Sequence, residues 1–277
     1  MAARSWVTWN TLPAVQLAGS NVLLTGATGG LGQAIARALA SEGATLVLSG
    51  RRTEVLEPLA TELGARAVAV DLSRRDDVHR LVEEAGSVDV LVANAALPGS
   101  GRLSELTEDQ IDRVLEVNLA APIALTHALT PAMVQRGRGH LVFIASTAGK
   151  VATALSSTYN ASKFGLRGFA FAMRAELAGA GVGVSLVSPG FISDAGMFAE
   201  AGVKLPPGVG TRSPEQVARA VVRAIKSNRA EIDVAPLGVR AGSMLGMLAP
   251  ELAARTSRRL GAERIAERMA AGQADKR

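Results

Sequence analysis

Short apolar runs alternate along this chain with longer stretches of helical character. The runs predict strands at Asn21–Thr25, Ala44–Ser49, Arg66–Val70, Val88–Ala93, His140–Ala145 and Val182–Val187, with a further one at Glu231–Ala235. Between them the pattern predicts helices at Gln33–Ser41 and Arg74–Gly86, a long helical region from Thr107, and a helix at Ser157–Ala178. Strands alternating with helices of this length imply an α/β fold: one doubly wound parallel sheet of about seven strands, covered on both faces. No linker or internal repeat interrupts the alternation, so residues 21–237 are expected to form a single domain between an N-terminal extension (1–20) and a helical C-terminal extension (238–277). In that extension Leu245, Leu248 and Leu252 keep helical spacing, and a charged helix follows around Arg258–Met269.

In such sheets ligands collect beyond the carboxyl ends of the strands. The residues there are Gly26 to Gly32, Gly50-Arg51-Arg52, Asp71, Asn94-Ala95-Ala96, Ser146 and Pro189-Gly190, and they point to one crevice. The first strand runs into Gly26-Ala27-Thr28-Gly29-Gly30-Leu31-Gly32 and then into an alanine- and leucine-rich helix. A glycine turn at a helix start lets backbone N–H groups and the helix dipole approach a pyrophosphate. Alone the glycines say little. With the second strand they complete a βαβ unit, and a dinucleotide becomes the expected ligand.

Tyr159 is the only tyrosine in the sequence, and Lys163 follows it by four positions. On a helix the two share a face. A cation beside a phenol favours the phenolate, so a pKa below the ordinary value near 10 is expected, and Tyr159 becomes a candidate proton-transfer group.

Composition removes other classes of function. At 277 residues, 48% hydrophobic and 20% charged, the chain is long enough for one large core. Its net charge of +5 sits largely at the end, where residues 251–277 carry +3. The other basic residues are scattered and only 3% of residues are aromatic, so no nucleic-acid surface is expected. With no cysteine there is no disulfide framework or thiolate chemistry, which suits a reducing, cytoplasmic setting. His79, His127 and His140 lack ligand spacing, and no metal is expected. Arg4, Trp6 and Trp9 stand near the start without the apolar core of a secretory signal. The longest apolar run, Val117 to Val134, is broken by Asn118, Pro122, His127 and Pro131, which argues against a membrane span.

Taken in order, these motifs resemble the short-chain dehydrogenase/reductase family, a Rossmann-fold group, over roughly residues 20–240. Thr25-Gly26-x-x-x-Gly30-x-Gly32 looks like its cofactor turn, Asp71 its adenine contact, and Asn94-Ala95-Ala96 its Asn-Asn-Ala-Gly stretch. Asn118 resembles its helix asparagine, Pro189-Gly190 its sixth-strand turn, and Ser146, Tyr159 and Lys163 its catalytic set. Ala93 and Ala96 depart from the pattern, which often has Asn and Gly there. The resemblance implies a hydride exchange between a nicotinamide dinucleotide and an alcohol or ketone, in a homodimer or homotetramer. Ser146 would bond the substrate oxygen, Tyr159 exchange its proton, and Lys163 hold the nicotinamide ribose. Asn118 would hold a water leading to Lys163. Cofactor contacts are implied at Gly26, Thr28, Gly29, Gly30, Leu31, Gly32, Arg51, Arg52, Asp71, Leu72, Asn94, Ala95, Ala96, Tyr159, Lys163, Pro189, Gly190 and Ile192.

Alternatives stay open at this level. Gly26-x-x-Gly29-x-x-Gly32 is also the spacing of the epimerase and dehydratase branch, although the stretch after Lys163 is short for that branch's extra substrate domain. A dinucleotide-binding sensor or scaffold is a second alternative, and a serine hydrolase a poorer third, because Ser146 lacks G-x-S-x-G.

The end of the second strand bears on cofactor choice. Gly50 stands where an acidic residue would bond a ribose 2′-hydroxyl, and Arg51 follows, so NADP is expected ahead of NAD. Beyond Pro189, Phe191, Ile192, Met197, Phe198 and Leu205 suit either an apolar lid or ordinary packing. Asp194 stands where the resembling family commonly has a threonine. It is expected either to favour the oxidised cofactor, or to point to solvent or cap a short helix at Ala195–Ala201.

Overall fold

The computed structural model describes residues 15–203, 205, 209–259 and 261–274. Arg4, Trp6 and Trp9 of the expected N-terminal extension, and the basic residues 276–277, lie outside the described residues. In chain order the elements are β1 (Asn21–Thr25), α1 (Gly30–Ser41), β2 (Thr45–Gly50), α2 (Thr53–Leu63), β3 (Arg66–Ala69), α3 (Arg75–Ala85), β4 (Val90–Ala93), α4 (Glu108–Leu115), α5 (Ala121–Arg136) and β5 (Gly139–Ile144). They continue as α6 (Ser157–Glu176), β6 (Val182–Pro189), α7 (Gly196–Glu200), α8 (Pro214–Lys226), β7 (Glu231–Val234), α9 (Leu237–Leu248), α10 (Pro250–Arg259) and α11 (Ala262–Gly272).

The seven strands form one parallel sheet in the order β3-β2-β1-β4-β5-β6-β7. Chain direction across the sheet reverses beside β1, which pairs with both β2 and β4, and that switch opens a crevice at the strand ends. Alternation of side chains assigns each strand residue to one of two cores. Leu23, Leu91, Leu141 and Phe143 face the layer of α3, α5 and α6, packing with Leu81, Leu125, Met133 and Leu166. Val22, Leu24, Val90, Val92 and Val142 face the layer of α1, α2 and α8, packing with Ile35, Leu39, Leu56, Val221 and Ile225. Each fully buried aliphatic side chain in these layers contributes about 1.5–3 kcal/mol.

Two helices lie outside the predicted set. α2 carries Pro58 in its interior, which removes a backbone donor and blurs the helical pattern. α8 opens with the capping box of Ser213 and Gln216 and with Pro214 in its first turn. Those start signals were legible in the sequence.

The long region after Thr107 is helical throughout: a Thr107–Gln110 capping box starts α4, and a π-helical turn at Glu116–Ala120 joins it to α5. The run 108–136 has the length and apolarity of a membrane span, but Leu125, Leu129 and Met133 on it are core residues against the sheet. The C-terminal region differs from the expected single charged helix. It breaks at Gly261, whose left-handed φ of 74° ends α10 and starts α11.

Candidate active site

β5 ends at Ile144, and Ser146 follows as the cap of a 3-10 turn, Thr147–Gly149, its Oγ accepting from the Ala148 N–H at 3.1 Å. Tyr159 and Lys163 lie one turn apart on α6. Ser146 and the Tyr159 phenol are within hydrogen-bonding reach. The Lys163 ammonium lies 5.7 Å from the Tyr159 ring centre, and its Nζ donates to the Ile144 carbonyl at 3.0 Å. Strand β5 and helix α6 thus bring together the serine, the phenol and the cation that the sequence had singled out.

The expected direction of the phenol shift is corrected here. Burial pushes the Tyr159 phenol above its ordinary value, and the hydrogen bond with Ser146 offsets only part of that. Lys163, 1% exposed, is pushed by burial from 10.5 down to about 8. Burial thus disfavours the phenolate and the ammonium alike.

Asn118 is fully buried in the π-helical turn, and its side-chain amide is committed to protein. Oδ1 accepts from the Leu97 N–H at 2.7 Å, while Nδ2 donates to the Leu97 carbonyl at 2.9 Å and to Ser162 Oγ at 3.2 Å. The side chain clamps the loop after β4. Asn160, which sequence reasoning passed over, does the same for the loop after Ser146: its Nδ2 donates to the Ala148 and Val151 carbonyls at 2.7 and 3.1 Å.

At the glycine turn, Gly26 has φ +67°, a left-handed conformation. A Cβ on Gly32 would come within 2.1 Å of the Gly26 carbonyl oxygen, so the turn closes only with glycine there. Helix α1 starts at this turn with no side-chain cap and no acidic residue in its first turn. Its N-terminal N–H groups suit an anion. Asn94 braces the turn: its Nδ2 donates to the Thr25 and Gly26 carbonyls at 3.0 and 3.1 Å. Thr25 Oγ1 accepts from the Asn94 and Ala95 N–H groups at 3.1 and 3.2 Å, a role the sequence reading did not assign. These features fit a dinucleotide pyrophosphate.

At the end of β2 a Cβ on Gly50 would meet Thr28 Cγ2 at 2.6 Å, so any side chain there would have to displace Thr28. Arg52 Nη2 donates to the Thr28 carbonyl at 2.7 Å and is pinned to the turn. Arg51 is half-exposed and leans towards Asp71 at 3.9 Å, and Arg113 approaches the same carboxylate oxygen at 3.8 Å. Burial works against the Asp71 carboxylate, but hydrogen bonds from Ser73 and the two guanidinium groups hold its pKa below the usual value. Leu72 and Ile192 have core side chains, which leaves their main chain at the strand ends. Asp194 is exposed at φ +63°, and α7 has Ala195, without a side-chain cap, at its start. The capping expectation for Asp194 is therefore corrected.

Two further contacts escaped the sequence. Lys150, 3% exposed, binds Asp233 at 2.6 Å and Glu231 at 2.9 Å, tying the Ser146 loop to β7. Gln273, from the end of α11, accepts from Ser100 Oγ and donates to the Met197 carbonyl at 3.0 Å, bridging the loop after β4 and α7. Both pairings span long sequence separations, and no local pattern marks them. On α7 and the segment before it, the Phe198 and Phe191 rings meet at a tilt of 55° with centres 5.0 Å apart.

A family model for the short chain dehydrogenases matches residues 20–205. The chain belongs to the short-chain dehydrogenase/reductase family. Among its relatives, the ketoacyl reductase HetN of Nostoc sp. is 41% identical over 227 residues, covering 79% of each chain. Dehydrogenase/reductase SDR family member 7B of Xenopus laevis is 35% identical over 254 residues, covering 83% of this chain and 78% of the relative. A solved short chain dehydrogenase/reductase family protein superimposes with a TM-score of 0.73 at 31% identity, covering 79% of this chain and 97% of that one. The chain is thus an oxidoreductase of a family that uses NAD(P).

Proposed function

We propose that this reductase exchanges hydride between NADP(H) and an apolar secondary alcohol or ketone, with Tyr159 as general acid and base. The observation that carries the reading is the convergence of Tyr159, Ser146 and Lys163 at the carboxyl end of β5. A bound nicotinamide supplies or accepts the hydride. Ser146 holds the substrate oxygen, and Tyr159 donates a proton to it in reduction or takes one in oxidation. Lys163, titrating near 8, exchanges protons near physiological pH.

Gly26, Gly30, Gly32 and the start of α1 would hold the pyrophosphate, and Arg51 the 2′-phosphate through a charge-assisted pair. The absence of an acid at position 50, with Arg51 beside it, supports NADP over NAD. The paired Phe191 and Phe198 rings support an apolar substrate, and a relative named as a ketoacyl reductase makes ketoacyl chains one group to test. Hydride transfer to ketones of graded chain length, followed at the nicotinamide absorbance, tests the reading. Tyr159→Phe is expected to abolish turnover and to leave dinucleotide binding intact. A Tyr159→Phe enzyme that still turns over refutes the role of the phenol.

A further inference from the structure

Helix α9 turns one face inward and another outward. Inward, Ser243 is 3% exposed, and a Cβ on Gly246 would meet Val151 at 2.7 Å, so this side packs on the loop that follows Ser146. Outward, Leu237, Met244 and Leu248 stand at i, i+7 and i+11 on one stripe with exposures of 77%, 50% and 81%. Leu252 on α10 extends the apolar surface at 54% exposed. Large side chains this open, aligned along one helix, leave water in contact with apolar surface that a monomer ordinarily covers.

The charges around the stripe identify what covers it. From Val234 to Pro250 the chain has no acidic residue, and its one charged side chain there is the exposed Arg240. Arg255, Arg258 and Arg259 on α10 are also exposed, against one exposed carboxylate, Glu251, which pairs with Arg255 at 3.8 Å and leaves α10 with an excess of two positive charges. In a twofold contact between copies of this chain, the cationic segment would be set against itself. An anionic lipid surface satisfies both features: acyl chains take the leucines and methionine, and headgroups take the arginines.

We propose that α9 and α10 dock this enzyme peripherally on an anionic bilayer. α9 lies in the interface plane, and its inner side stays on the loop after Ser146. Docking therefore sets the substrate crevice beside the lipid. The proposal stands on surface residues and is independent of the cofactor and substrate reading.

Flotation of the full-length protein with phosphatidylcholine vesicles, with and without phosphatidylglycerol, tests it. Binding is expected to the anionic vesicles and to be released by salt. Leu248→Asp is expected to weaken it by about tenfold or more, the loss of one buried leucine. The triple variant Arg255→Gln/Arg258→Gln/Arg259→Gln is expected to weaken it by about fivefold per arginine. These positions are exposed, so melting temperature and dinucleotide binding should not change in either variant. Absence of binding, equal salt-insensitive binding to both vesicles, or full binding by Leu248→Asp overturns the proposal. So does a wild-type dimer, seen by light scattering, that Leu248→Asp converts to monomer without any vesicle binding, because the stripe is then a self-association face.

Discussion

Replacing Lys163 by Met should stabilise the protein at neutral pH while destroying its activity. The lysine is 1% exposed, and burial lowers its pKa from 10.5 to about 8, so at pH 7 the fold carries a buried ammonium. At 1.36 kcal/mol per unit, that shift corresponds to about 3 kcal/mol of stability forgone. The sign follows from proton counting. Between pH 8 and 10.5 the unfolded chain binds the proton and the native state does not, so stability rises with pH through that window. Below it the full penalty is present. Methionine has nearly the same shape and no charge, so it removes the penalty. It also strips the Ile144 carbonyl of a donor now 3.0 Å away, at a cost of about 1 kcal/mol. The net gain at pH 7 is about 2 kcal/mol, or ~4 °C in Tm for a chain of this length. Above pH 10.5 the penalty has vanished in the wild type, only the lost hydrogen bond remains, and the variant should fall below it. Differential scanning calorimetry of both proteins across this range reads the difference and cancels groups common to both. A Tm gap that does not change with pH, or a variant less stable at pH 7, refutes the argument that Lys163 is held charged against its surroundings.

Since Tyr159 is the only tyrosine, ultraviolet difference titration reports it alone, and burial places its transition above pH 10 in the protein without cofactor. A transition below pH 10 would restore the phenol–lysine coupling that the sequence suggests. Arg51→Ala should lower the NADP/NAD ratio of kcat/KM by about tenfold, the worth of one charge-assisted pair, and an unchanged ratio would make Arg51 a surface charge. Gln273→Ala leaves Ser100 Oγ and the Met197 carbonyl without their partner, so Tm should drop by the equivalent of about 1–3 kcal/mol and protease should cut around α7 and α11 more quickly. Unaltered melting and cleavage would mean that α11 does not brace the crevice.

The sequence by itself determined what depends on neighbours in the chain. Periodicity placed all seven strands: the central ones because a parallel strand covered on both faces is apolar over most of its short length, and the edge strand β7 because Ile232 and Val234 alternate with Glu231 and Asp233. The glycine turn declared itself because a Cβ on Gly32 would fall 2.1 Å from the Gly26 carbonyl oxygen, and Tyr159 with Lys163 because a helix puts i and i+4 on one face. Tertiary structure decided what depends on surroundings. The direction of the Tyr159 shift could not be read from spacing, since it is a contest between burial and a cation that burial itself weakens. The use of Asn118 on Leu97, of Lys150 on β7 and of Gln273 on α7 brings together partners between 21 and 173 positions apart, counting the Gln273–Ser100 bond. Only the folding of the sheet sets such distances, because hydrogen bonds act over about 3 Å in space and take no account of separation along the chain.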